Sequence, residues 1–298
     1  MTISKSDLSL VDGWSKGLAA SSIHTARSYC ECVLRFMEAT NRPLRKITVP
    51  DVMNYIGTLT EAGLSKASIA HHISAVRTFL KYLQALGLVP QSPLDVLKRP
   101  RVAITSMNRY LTKDESASLL AGAKQINDTA FLVVGLLLTT GLRVSELASA
   151  DWRDVFKDPR GNIGLKVTGK GNKTRVVALR ANDVWPLLKS YREKRGLSIT
   201  LSTKDTTPLV VTQEGKRPST VALWRWVRAA ATKAGIEKEV SPHWLRHSYA
   251  TMLALAGGSP FQIQADLGHS QIETSTRYVH WARGLTDSGS RLIPVKVR

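Results

Sequence analysis

Five basic side chains and one tyrosine are spaced along the second half of this chain in an order that suits phosphodiester chemistry. Arg143 lies in Thr-Gly-Leu-Arg-Val-Ser-Glu-Leu and Lys170 in Gly-Lys-Gly-Asn-Lys. His243 and Arg246 lie in Ser-Pro-His-Trp-Leu-Arg-His, and His269 in Leu-Gly-His-Ser, with Tyr278 nine residues further on. A phosphorus under attack gathers negative charge on its non-bridging oxygens. Two guanidiniums can clamp those oxygens with forked hydrogen bonds, and both stay charged at any relevant pH. The nucleophile needs a partner for its proton and the leaving oxygen needs an acid, a role open to a lysine in a turn. No carboxylate cluster is spaced to hold two magnesium ions, so a route without metal is expected.

Each residue also has an ordinary use. Tyr278 can be a core tyrosine bonded through its hydroxyl. Arg143 can pair with Glu146, one helical turn on, and Glu146 is expected to orient a basic neighbour. Lys173 competes with Lys170, and the Gly-Lys-Gly context favours Lys170. His269 fits a helix terminus, and His247 and His280 are read as packing or supporting residues outside the catalytic set. Two further patterns are coincidental. Gly164 to Lys170 opens like a phosphate-binding loop, but Gly171 stands where a Ser or Thr must hold magnesium. His243 and His247 have zinc-protease spacing, but Trp244 stands where the glutamate base belongs.

The 298 residues carry a net charge of +19 and a pI near 10.2. Both halves are basic, which suits a partner made of phosphates; a solvated basic surface is the plainer alternative. At 43% apolar, the chain has enough to bury a core. Cys30 and Cys32 point to different helix faces and form no zinc site alone, so a reducing, cytoplasmic compartment is expected. Met1 to Ser9 has no apolar run of the signal-peptide kind. Ala130 to Leu138 is too short for a membrane span, which takes roughly 20 apolar residues.

Residues 1–100 read as helical. Helices are expected from about Leu8 to Leu18, from a Ser21-Ser22 cap to Thr40, from Pro50 to Ala62, and from Ser65 to Gly87. In the last, Ile69, Ile73, Val76, Leu80 and Leu83 recur at helical spacing. Pro90, Pro93 and Pro100 with Lys98, Arg99 and Arg101 punctuate a basic linker, placed at 101–110. The second unit, 111–298, opens with a Thr112–Glu115 capping box and an all-apolar helix over 128–140 that Gly141 breaks. Arg143 to Ser149 begins another helix. Ile163 to Thr168 and Thr174 to Leu179 read as a hairpin, with Leu209 to Thr212 as a further short strand. Helices are expected over 182–195, 218–234, 242–256, 260–267 and 272–284. The fold class is mainly α with a small antiparallel sheet.

The ordered set Arg143, Lys170, His243–Arg246, His269 and Tyr278 resembles the tyrosine recombinase, or phage integrase, family, and the layout is most like the Xer recombinases. The resemblance covers about 108–284 in motif and nearly the whole chain in architecture. It implies a C-shaped two-domain DNA clamp, with a helical SAM-like core-binding domain and an α+β catalytic domain. It implies that Tyr278 attacks the scissile phosphate, forms a 3′-phosphotyrosyl link and frees a 5′-hydroxyl. Arg143 and Arg246 would hold the phosphate oxygens, Lys170 would protonate the leaving oxygen, His243 would assist as base or hydrogen-bond partner, and His269 would bond the phosphate. No cofactor or ATP is implied, because the ester conserves the bond energy. The implied partners are double-stranded recombination sites and further copies of the chain, as a tetramer on two sites, or a second recombinase. Two strand exchanges would pass through a Holliday junction in a nucleoid-associated, cytoplasmic enzyme. The linker lacks the Leu-Pro pattern of Xer proteins and Tyr249 to Gly258 matches loosely. Chromosome resolution and mobile-element integration or excision therefore both stay open. A regulator with an inactive recombinase fold, or a type IB topoisomerase-like enzyme, are the alternatives; no catalytic position is missing, which speaks against the first.

Overall fold

A computed structural model describes residues 3–20, 22–89, 109–169 and 173–283. The chain divides into two compact units, Met1–Ile104 and Thr105–Arg298. The linker expectation over 101–108, Lys170 and the tail from 284 lie outside the described residues.

The first unit holds α1 (Lys5–Ala19), α2 (Ile23–Thr40), α3 (Val49–Glu61) and α4 (Lys66–Ala85). Each start carries its own cap. Ser4, Ser22 and Ser65 accept from backbone N–H groups three residues on, and Thr48 with Asp51 closes a capping box. Trp14 of α1, Phe36 of α2, Tyr55 of α3 and Phe79 of α4 meet in one core, with Trp14 tilted against Phe79 at 5.1 Å. The five α4 residues picked out by their spacing are all buried there. Cys30 and Cys32 are unpaired.

The second unit is built around α6 (Asp128–Thr140), which is buried on nearly every face. Around it stand α5 (Lys113–Ile126), α8 (Val184–Glu193), α9 (Thr220–Lys233) and α10 (Pro242–Leu255), and the short α7 (Val144–Ser149) packs on α9. The chain then folds back through α11 (Pro260–Leu267) and α12 (Ile272–Arg283). Three strands, β1 (Val155–Lys157), β2 (Ile163–Thr168) and β3 (Thr174–Ala178), form an antiparallel sheet in chain order.

Two local readings change. β1 was not foreseen, because only three residues pair and only Val155 of them is buried. Leu209 to Thr212 is no strand. Leu209, Val210 and Val211 are buried, but beside them there is one bridge among the described residues, Asp151 with Pro208. The segment's backbone bonds go elsewhere: the Leu209 N–H to the Ala150 carbonyl, and the Val211 N–H to the Tyr191 hydroxyl. Burial made it look like a strand; scattered partners deny it a ladder.

Gly141 ends α6 with φ at +62°. A Cβ there would meet Leu267 Cδ2 at 2.5 Å and Tyr249 Cδ1 at 2.7 Å. Left-handed geometry costs an L-residue about 1–2 kcal/mol, and overpacking adds about 1–3 kcal/mol. Gly141→Ala is therefore expected to lower stability by about 2–5 kcal/mol, read by urea unfolding. An unchanged midpoint would count against this account of the turn.

Candidate active site

The site gathers where three helix ends meet the sheet. Arg143 is the residue before α7. Its Nη1 donates to Glu146 Oε1 at 2.8 Å, its backbone N–H donates to Glu146 Oε2 at 2.8 Å, and its Nη2 donates to the Gly268 carbonyl at 3.3 Å. Glu146 thus does orient a basic neighbour, and it orients a second one. Arg175 of β3 donates Nη1 and Nη2 to the two Glu146 oxygens at 2.7 and 2.8 Å, and its Nε to the Asp266 carbonyl at 2.6 Å.

Arg246, on α10, is 4% exposed. Its Nη1 donates to the Gly141 carbonyl at 2.7 Å and its Nη2 to the Leu267 carbonyl. Those carbonyls end α6 and α11, so a guanidinium answers orphan acceptors at the negative ends of two helices. Burial and repulsion from Arg143 press the Arg246 guanidinium down to about 9, still charged at neutral pH.

The α11–α12 turn brings the remaining groups. Gly268 caps α11 in the left-handed region with φ at +62°, which lets His269 turn back toward the site. His269 Nδ1 shares a hydrogen bond with Ser275 Oγ at 2.9 Å, and its ring stacks on Tyr278 at 6.5 Å and 15°. Burial, then the charges of Arg246, Arg143 and Arg175, hold the His269 imidazole at about 4, so it is neutral. Tyr278, on α12, is 4% exposed, and burial pushes its phenol up to about 12 against the pull of Arg246 and Arg277. Its hydroxyl shares a hydrogen bond with His247 Nδ1. His243 is exposed, with its ring edge-on to His247 at 4.4 Å.

Of the expected residues, Arg143, His243, Arg246, His269 and Tyr278 thus come together, and Lys170 lies outside the described residues. Lys173, its competitor, is exposed, and its carbonyl accepts from the Gly169 N–H at 2.8 Å. Arg175 and His247 were missed as site residues. Arg175 had a signal: it shares a strand face with buried Val177, where an arginine needs a reason. His280 is exposed. Three guanidiniums face a single carboxylate, so the site carries excess positive charge suited to an anion. Among the described residues no group of three or more His, Cys, Asp or Glu could hold a metal, and no helix is long and apolar enough to cross a membrane.

Burial alone would raise the Glu146 carboxyl. Hydrogen bonds from Arg175 and from the Arg143 backbone outweigh it and hold the group at about 2. A free glutamate titrates near ~4.3. The folded value is the lower one, so the stability it confers is complete above roughly pH 5 and is lost as pH falls toward 2, about 3 kcal/mol in all. Glu146→Gln is expected to cost about that much at pH 7 and about half as much at pH 3. Urea unfolding at both pH values measures this; an equal deficit at both would refute it.

Comparison with known proteins gives the family. The phage integrase family model matches residues 109–284, and the phage integrase N-terminal SAM-like domain matches 11–87. A tyrosine recombinase of Thermosipho africanus is 31% identical over 271 residues, covering 88% of this chain and 90% of its own. Tyrosine recombinase XerD of Chlorobaculum tepidum is 34% identical over 236 residues, covering 77% and 76%. The crystal structure of XerH bound to its palindromic difH substrate superposes with a TM-score of 0.73 at 22% identity, covering 93% of this chain and 80% of that one. The chain belongs to the phage integrase family of tyrosine recombinases. Within it, the chain is of the Xer type, an enzyme that cleaves and rejoins DNA at specific sites.

Proposed function

We propose that Tyr278 is the nucleophile of this recombinase and that it forms a 3′-phosphotyrosyl ester, freeing a 5′-hydroxyl. The observation that carries this is the Tyr278 side chain lying within the field of Arg246, stacked on His269. Arg143 and Arg246 hold the non-bridging oxygens of the scissile phosphate, where fixed donors stabilise charge as it develops. Arg175 holds Glu146, and so Arg143, in place. His269 bonds the phosphate, His243 lies at the edge of the site as a further hydrogen-bond partner, and Lys170 protonates the leaving 5′-oxygen. The free 5′-hydroxyl of a second strand then reverses the step, so exchange needs no ATP.

Residues 1–100 serve as a DNA-binding domain, 101–110 as a basic linker and 111–298 as the catalytic domain. The net charge of +19 supplies affinity for duplex DNA that falls as salt rises. The active assembly is four copies on two sites, as a crystallised lambda integrase tetramer is on a Holliday junction, or copies paired with a second recombinase. The enzyme works in the cytoplasm, at the nucleoid.

A nicked duplex tests this. Sites are selected by binding from a random duplex pool, then rebuilt with a nick just downstream of the cleavage point. The short 5′-hydroxyl fragment diffuses away and traps the ester, seen as a DNA-linked band on a denaturing gel. Specific binding without any trapped band points instead to a regulator, and relaxation of plasmids without site preference to a topoisomerase.

A further inference from the structure

We propose that His247 is the residue that accepts the phenol proton of Tyr278 during cleavage and returns it during rejoining. The inference rests on the reading of Tyr278 as the nucleophile. Two histidines meet that tyrosine, His269 and His247, and a third, His243, meets His247; they are not equivalent. His269 stacks on the ring and spends Nδ1 on Ser275. His243 is exposed and its ring meets that of His247. His247 alone of the three makes a hydrogen bond to the phenolic oxygen, through Nδ1. It is 9% exposed, and its Nε2 is buried without a hydrogen-bond partner. An imidazole accepting at Nδ1 carries its own proton on Nε2, and a buried, unanswered donor is destabilising. That cost falls on the one imidazole in contact with the nucleophilic atom.

The step balances as follows. The Tyr278 O–H bond breaks and its proton moves to His247 Nδ1, as the phenolic oxygen bonds phosphorus. The bond from phosphorus to the 5′-oxygen breaks, and that oxygen takes a proton from Lys170. In the return step a 5′-hydroxyl attacks, the phosphotyrosyl bond breaks, and the phenolate recovers its proton from His247. The charged groups around His247 suit such a role. Burial, then His243 and Arg246 of α10, His269 of the α11–α12 turn, and Arg109 ahead of α5 hold it at about 4. It is therefore a neutral acceptor in the free chain. A phosphodiester arriving among those cations offsets their repulsion and makes the imidazole a stronger base.

The test is single-turnover ester formation on the nicked duplex, with the full chain, from pH 5 to 10. Asn places an amide oxygen near the position of Nδ1 but cannot take a proton. His247→Asn is expected to slow the reaction at pH 7 by about 100-fold and to lose the plateau of the pH profile, its rate still climbing at pH 10. His247→Ala should be no faster. His243→Asn should keep the plateau at a reduced rate. Melting curves and gel-shift binding show that the variants fold and hold DNA. His247→Asn reacting at the unsubstituted rate, with the same profile, would reduce His247 to a positioning residue and overturn the proposal, and a faster reaction would overturn it as a restraint on the tyrosine. No ester from the unsubstituted chain would instead overturn the reading of Tyr278 itself.

Discussion

Tyr278→Phe yields no covalent protein–DNA band and still binds DNA; that is the expected result with the largest effect. Phe keeps the ring that stacks on His269 and packs in the small cluster of Ala250, Ile263, Leu267 and Val279. It loses only the hydroxyl and its bond to His247, worth about 1 kcal/mol of stability. The catalytic loss is of another order. No other group can form the same ester, so the rate should fall to background, at least about 10⁴-fold. Denaturing gels of the nicked substrate read the ester, and gel shifts at matched salt read binding. A residual band from the Phe variant at a comparable rate would place the nucleophile elsewhere.

Arg246 should show the second largest effect, with a split between two substitutions. Arg246→Ala removes a charge and fixed donors, and is expected to slow ester formation by about 10³-fold. It also leaves the Gly141 and Leu267 carbonyls without their partner, at about 1–3 kcal/mol for each buried acceptor. Arg246→Lys restores a positive charge and one of those bonds, but not a planar fork. Its melting temperature should recover toward that of the unsubstituted chain, while the rate stays down by about 100-fold. Thermal melts beside single-turnover rates separate the two. If the Lys variant recovered rate and stability together, Arg246 would be acting as plain charge.

Much of this arrangement could be read from the chain alone, for definite reasons. The helices carry short-range signatures: the Ser and Thr caps, Pro50, and the glycine stop at Gly141 all work within a few residues. The order of basic groups and tyrosine is likewise linear and survives as a pattern. What escaped notice depends on contacts distant in sequence. Arg175 matters through Glu146 and the Asp266 carbonyl, far apart in the chain. His247 looked like a packing residue because its neighbours in sequence say nothing of Tyr278, 31 residues on. Leu209 to Thr212 misled because apolar runs report burial, and burial does not choose a backbone partner.

Tyr278, its stacking partner His269, Ser275, and the Leu267 and Gly268 carbonyls that receive Arg246 and Arg143 all ride on the single hairpin of α11 and α12. Shifting that hairpin would move the Tyr278 hydroxyl and release the carbonyl contacts of Arg246 and Arg143 together. The site would then be set or dismantled as one unit, not residue by residue.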